Sequence, residues 1–161
     1  MPAQPGTFAP ASPTVDLDGA ATDLPSLAAS GPALLFFFQG DCPTSETAAH
    51  ALPRAAAIPG LTVAAVSQDD PPDAEAFARK HRLGGNVRVL VDPPPFPASD
   101  AFGILVTPTW VLLAPGGRIE AVLEGWSRDE ANALAARAAA LAGARPAVVS
   151  TPSDGPAFRP G

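Results

Sequence analysis

The sequence predicts an α/β fold with a mixed sheet covered by helices on both faces. Three observations predict it. Continuous apolar runs of strand length, ALLFFF (33–38), LTVAAVS (61–67) and VRVLV (87–91), alternate with segments of helical character. Uninterrupted apolar strands suit a parallel sheet buried on both sides. A hairpin signal follows, in which PGGR separates TWVLLA (109–114) from IEAVLE (119–124). Last, SRDE (127–130) is a capping box with Ser127 as N-cap, and it opens an alanine-rich helix to about Leu141. Helical crossovers give parallel pairing and the hairpin gives antiparallel pairing, so the sheet is mixed.

The elements follow in order. Residues 1–13 hold four prolines and little to bury, and read as a flexible arm. VDLDG (15–19) reads as a short strand closed by an Asp-Gly turn, and LPSLAAS (24–30) as one or two helical turns. After ALLFFF the chain turns at Gly40. Pro43 suits the first helical position, which makes Cys42 the N-cap. Ala48, Ala49, Leu52, Ala55 and Ala56 recur at helical spacing, and Pro53 is expected to kink or end that helix. PPDAEAFARKHRLGG (71–85) is a helix with acidic Asp73 and Glu75 early, basic Arg79 to Arg82 late, and Gly84 as a stop. A proline-rich loop and a short helical stretch, SDAFG, lead into the hairpin. The domain spans 14–143, and the proline-rich residues 144–161 read as an irregular tail.

Composition narrows the function. The chain has 161 residues, 47% of them hydrophobic, enough for one domain with a sizeable core. Its apolar runs fall far below the ~20 residues of a membrane span. The net charge of −6, with Lys and Arg dispersed, argues against nucleic acid as a partner. One cysteine permits no internal disulfide, and MPAQPGTFAPASP lacks the basic start and apolar stretch of a signal peptide. The expected location is cytoplasmic. Two dispersed histidines and one cysteine make no metal site, and Gly116-Gly117 is turn chemistry rather than a phosphate cradle, so no cofactor is expected.

Chemistry concentrates in FFFQGDCPTSE (36–46). A cysteine at a helix N-terminus has unpaired N–H groups and the positive end of the helix dipole beside it. Such settings lower a thiol pKa from about 8.5 toward roughly 3.5–7.5 and make the thiolate a nucleophile. Asp41 opposes this, because a neighbouring negative charge favours the neutral thiol. The inert alternative is Cys42 as a small buried hydrophobe.

The junction ALLFFFQGDCPTS, the segment VSQDD, the segment SDAFGILVTPTWVLLAPGGRI and the helix opening EGWSRDE, in this order, resemble the thioredoxin superfamily. The resemblance is to its redoxin branch of thiol–disulfide oxidoreductases and alkyl hydroperoxide reductase-like antioxidants, and it covers roughly residues 5–143. It implies a thioredoxin-like fold, a catalytic Cys42, and a cis Pro108 in VTPT facing it. Thr107 and Pro108 would then bind substrate, with Pro43, Thr44 and Trp110 candidates for lining the site. Dithiol members use C-x-x-C. Here Ser45 takes the second position, where a hydroxyl can tune a thiolate by hydrogen bonding but cannot form a disulfide. The resemblance thus implies a monothiol oxidoreductase that exchanges with a disulfide-containing protein or low-molecular-weight disulfide and is resolved by an external thiol or reductase. Two alternatives stand beside it: a non-catalytic thioredoxin-fold binding module and a one-cysteine thiol peroxidase. Against the peroxidase, Gln39 and Leu35 stand where peroxiredoxins place Thr or Ser and Pro. His50 reads as a surface or edge residue, His81 as a complement to its helix dipole, and Trp126 as packing.

Overall fold

The computed structural model describes residues 2–161. Its main sheet has seven strands: β1 (Pro13–Asp16), β2 (Ala21–Asp23), β3 (Ala33–Phe38), β4 (Thr62–Ser67), β5 (Val87–Val91), β6 (Thr109–Leu113) and β7 (Ile119–Glu124), in the order β2-β1-β5-β4-β3-β6-β7. The three apolar runs pair in parallel at the centre, β5-β4-β3. β6 and β7 add antiparallel on one side, and β1 and β2 on the other. All six residues of β3 are buried, as a strand covered on both faces requires.

Alternation along β3 divides the core. Leu34, Phe36 and Phe38 face the layer of α2 (Ala51–Ala56), α3 (Pro71–Lys80) and α5 (Arg128–Ala142). Leu35 and Phe37 face α4 (Pro97–Phe102) and the 3-10 turn Leu24–Ala28. The fold is α/β and thioredoxin-like, with helices on both faces.

Three segments differ from the sequence reading. The helix after Cys42 is broken into α1 (Pro43–Ala48) and α2, and the break falls at Ala49-His50 rather than at Pro53. Proline lacks an N–H and its ring excludes the carbonyl four residues earlier, so Pro53 acts on Ala49. The N-terminal arm lies along the sheet: Ala3 N–H donates to Phe102 O at 2.7 Å, and Phe8 bridges Arg118. The C-terminal segment carries a 3-10 turn, Pro152–Asp154, and a short strand, β9 (Phe158–Arg159), paired with β8 (Trp126–Ser127). Its residues have no apolar periodicity; Val149 is buried in the core, and polar contacts hold the rest. Asn132 on α5 accepts from Val149 N–H and Ser150 N–H and donates to Ser150 O, while Arg54 grips both carboxylate oxygens of Asp154.

Candidate active site

The site lies where parallel β3 and β4 end, the edge at which open α/β sheets bind ligands. After Phe38 the chain turns through Gln39, Gly40 and Asp41 into Cys42. The turn is pinned to the end of β4: Gly40 N–H donates to Asp69 Oδ2 at 2.7 Å, and Gln39 Nε2 donates to Gln68 Oε1 at 2.9 Å. A Cβ on Gly40 would sit 3.0 Å from Asp69 Oδ2, so the bond needs glycine or a shift of the carboxylate. Gln68 in turn donates to Ser99 Oγ of α4 at 2.9 Å. These residues come from VSQDD, and they fix the cysteine turn across the top of the sheet.

Cys42 is the N-cap of α1, in extended conformation, with Pro43 in the first turn. Its thiol donates to Thr107 O at 3.4 Å. The Thr107–Pro108 bond is cis. Its loop is tied at both ends: Thr109 Oγ1 donates to Val106 O at 2.8 Å, and Gly125 N–H donates to Pro108 O at 2.8 Å. Cys42, Ser45, Thr107 and Pro108 are therefore brought together.

Ser45 is fully buried, and its hydroxyl has no hydrogen-bond partner among the described residues. It adjoins the Cys42 sulfur, whose proton already serves Thr107 O, so the hydroxyl finds its acceptor when the sulfur ionises. Partial burial of Cys42 opposes ionisation. The Ser45 hydroxyl, the N–H groups of Ser45 and Thr44 and the Thr107 side chain outweigh it, and the thiol lies below its ordinary pKa.

The remaining candidates separate. Pro43 is exposed beside the sulfur, and Thr44 is buried with its hydroxyl donating to Pro160 O at 2.6 Å. Trp110 is a core residue, 2% exposed; it packs edge-on against Phe36 and donates Nε1–H to Gly125 O, supporting the site from beneath rather than lining it. His50 is no free surface residue. Its Nδ1 donates to Thr47 O and its Nε2 accepts from Ser150 Oγ, both at 2.8 Å, and burial holds it below the usual imidazole range. His81 packs on the Phe77 ring and faces Glu46 of α1, which is also paired with Lys80. The basic end of α3 thus joins two helices as well as meeting its own dipole.

Sequence reasoning missed Gly125 and Pro160–Gly161, which adjoin the site. Gly125 has φ +75°, and a Cβ there would fall 2.8 Å from Gly161 N. A glycine just before the capping box was the one available signal.

Fold and site together define a thioredoxin-like redoxin, a thiol–disulfide oxidoreductase type of scaffold with one cysteine. The chain belongs to the AhpC/TSA family, whose model matches residues 5–122. Among solved structures it is similar to a secreted Mycobacterium tuberculosis disulfide oxidoreductase homologous to Escherichia coli DsbE, at 25% identity over 78% of this chain and 94% of that one, TM-score 0.66. It is also similar to M. tuberculosis DsbF, at 28% identity over 85% and 98%, TM-score 0.68. A DsbE-type protein from Chlorobium tepidum shares the fold at 21% identity over 88% and 99%, TM-score 0.75. Among curated proteins no relative matches the sequence.

Proposed function

We propose that this chain is a monothiol thiol–disulfide oxidoreductase acting through Cys42. The observation that carries the reading is the setting of that sulfur: at the N-cap of α1, 3.4 Å from Thr107 O, with the otherwise unpartnered Ser45 hydroxyl beside it. The Cys42 thiolate attacks one sulfur of a disulfide. A Cys42–S–S–R bond forms, the substrate S–S bond breaks, and the other sulfur leaves as a thiolate that takes up a proton. With Ser45 in place of a second thiol, an external thiolate then attacks the R sulfur and expels Cys42 as the thiolate. No net electrons remain on the protein. Thr107 and Pro108 position the incoming disulfide, and Ser45 steadies Cys42 as attacking and as leaving group. In this reading the setting is the cytoplasm, where a reducing thiol pool is at hand.

Membership of the AhpC/TSA family supports a second reading, a one-cysteine peroxidase in which Cys42 becomes a sulfenic acid. Gln39 is occupied with Gln68 and Leu35 is buried within β3, so neither offers a peroxide a donor at those positions. The experiment is a pH titration of Cys42 alkylation. The proposal predicts an apparent pKa below the free-thiol value of about 8.5. A value at or above it, or no reaction in the folded protein, leaves the binding module instead.

A further inference from the structure

We propose that residues 156–161 form a strap over one side of Cys42, and that it restricts the site to low-molecular-weight disulfides in preference to polypeptide disulfides. The strap is firmly held. β9 pairs with β8 through Trp126–Arg159 and Ser127–Phe158. Arg128 N–H donates to Ala157 O at 2.8 Å, and Trp126 Nε1–H to Pro156 O at 2.9 Å. From there the chain runs onto the site itself. Thr44 Oγ1, two residues from the cysteine, donates to Pro160 O at 2.6 Å. Gly161 then lies against the cis-proline loop, so closely that a Cβ would meet Thr107 O and Val106 Cγ2 at 3.1 Å. That Thr107 oxygen is the one the Cys42 thiol touches.

An extended piece of the protein's own chain therefore lies between the start of α1, the Val106–Thr107 loop and Gly125. A substrate polypeptide approaching Cys42 from this side meets that chain first. Away from the strap, Asp41 and Pro43 beside the sulfur are exposed, and a recess of about 120 Å³ lies along the cis-proline loop, lined by Gln39, Gln68, Leu105 and Thr107, among others. Cys42 itself stays partly exposed, so a small disulfide still reaches the sulfur where a polypeptide that needs the covered side does not. The strap lies outside the residues matched by the family model. The substrate class rests on the oxidoreductase reading above; the obstruction of access does not.

The test compares the full chain with a deletion of residues 156–161 and with Gly125→Ala, whose added Cβ pushes against Gly161 N and Arg159 O. Alkylation of Cys42 by N-ethylmaleimide and by a polyethylene-glycol maleimide reads access without any redox chemistry. Reduction of a small aromatic disulfide and of insulin reads substrate class. In Gly125→Ala the ratio of bulky to small reaction should rise by about tenfold, the effect of losing one or two net hydrogen bonds that hold the strap closed, and in the deletion, where no strap remains, by at least as much. Far-UV circular dichroism and a cooperative urea transition check that the fold persists. Should the deletion unfold, Gly125→Ala decides alone. Unchanged ratios overturn the strap. A changed maleimide ratio in proteins that reduce neither disulfide keeps the strap and overturns the oxidoreductase reading.

Discussion

Ser45 decides what Cys42 can do. It stands three residues on, where positions i and i+3 of a helical turn are neighbours. Its buried hydroxyl has no other group to serve. Hydrogen bonds to charged groups are worth about 1.5–3 kcal/mol. Ser45→Ala should therefore slow Cys42 alkylation at neutral pH by about tenfold or more, measured with a small alkylating reagent. An unchanged rate would mean that the hydroxyl does not support the thiolate. Ser45→Cys should do the reverse of a loss. Serine and cysteine are close in size, and disulfides need Cα atoms about 4.4–6.8 Å apart, a spacing that adjacent helical positions meet. The variant should form an internal disulfide, seen as a mass decrease, and reduce disulfides without an added resolving thiol. Cys42 was legible locally, because a turn signal and a first-turn proline mark it, whereas Ser45, Thr107 and Pro108 stood out only through the family resemblance of CPTS and VTPT. Trp110 was not, because the direction of a strand side chain depends on which layer covers it.

Between elements, polar contacts hold what apolar packing does not. α5 fixes the segment leading to the strap through Asn132, which satisfies two N–H groups and one carbonyl at Val149 and Ser150. Asn132→Ala leaves those groups unpaired and should cost about 2–4 kcal/mol of stability, read from the midpoint of urea unfolding. His50 joins α1 to the same segment. A carbonyl only accepts, so Nδ1 carries the proton and Nε2 accepts from Ser150, whose oxygen also receives Arg128 Nε–H. Protonation puts a second donor at Nε2 and a positive charge near the Arg54 and Arg128 guanidinium groups, with Asp154 as the opposing charge. The folded His50 pKa is depressed, so its contribution is full above the unfolded value of about 6.5 and is lost as pH falls through the lower, folded value. His81 is depressed too and adds with the same sign. Stability should fall as pH drops below about 6.5, and His50→Gln should shrink that fall. A flat profile would contradict the neutral His50. The break between α1 and α2 was half legible. Pro53 announces it, but the steric effect falls four residues upstream.

Across the whole molecule, alternation of apolar runs and helices was enough to read an α/β fold, because each buried strand announces itself by composition. Strand order was not readable. It depends on which edges meet after the crossovers, and β1 and β2 join beside β5 through few residues of weak pattern. The C-terminal segment was read as irregular because its prolines carry no period; backbone and side-chain hydrogen bonds set its path over the site, and these leave no mark in composition. The central claim is that one sulfur, without a partner thiol, performs exchange. Intact-mass analysis of the folded protein after exposure to glutathione disulfide tests it most directly. The account predicts one glutathione adduct, mapped to Cys42, that persists until an external thiol is added and then leaves to restore the free protein. No adduct on the folded chain, or an adduct that added thiol fails to release, would contradict it.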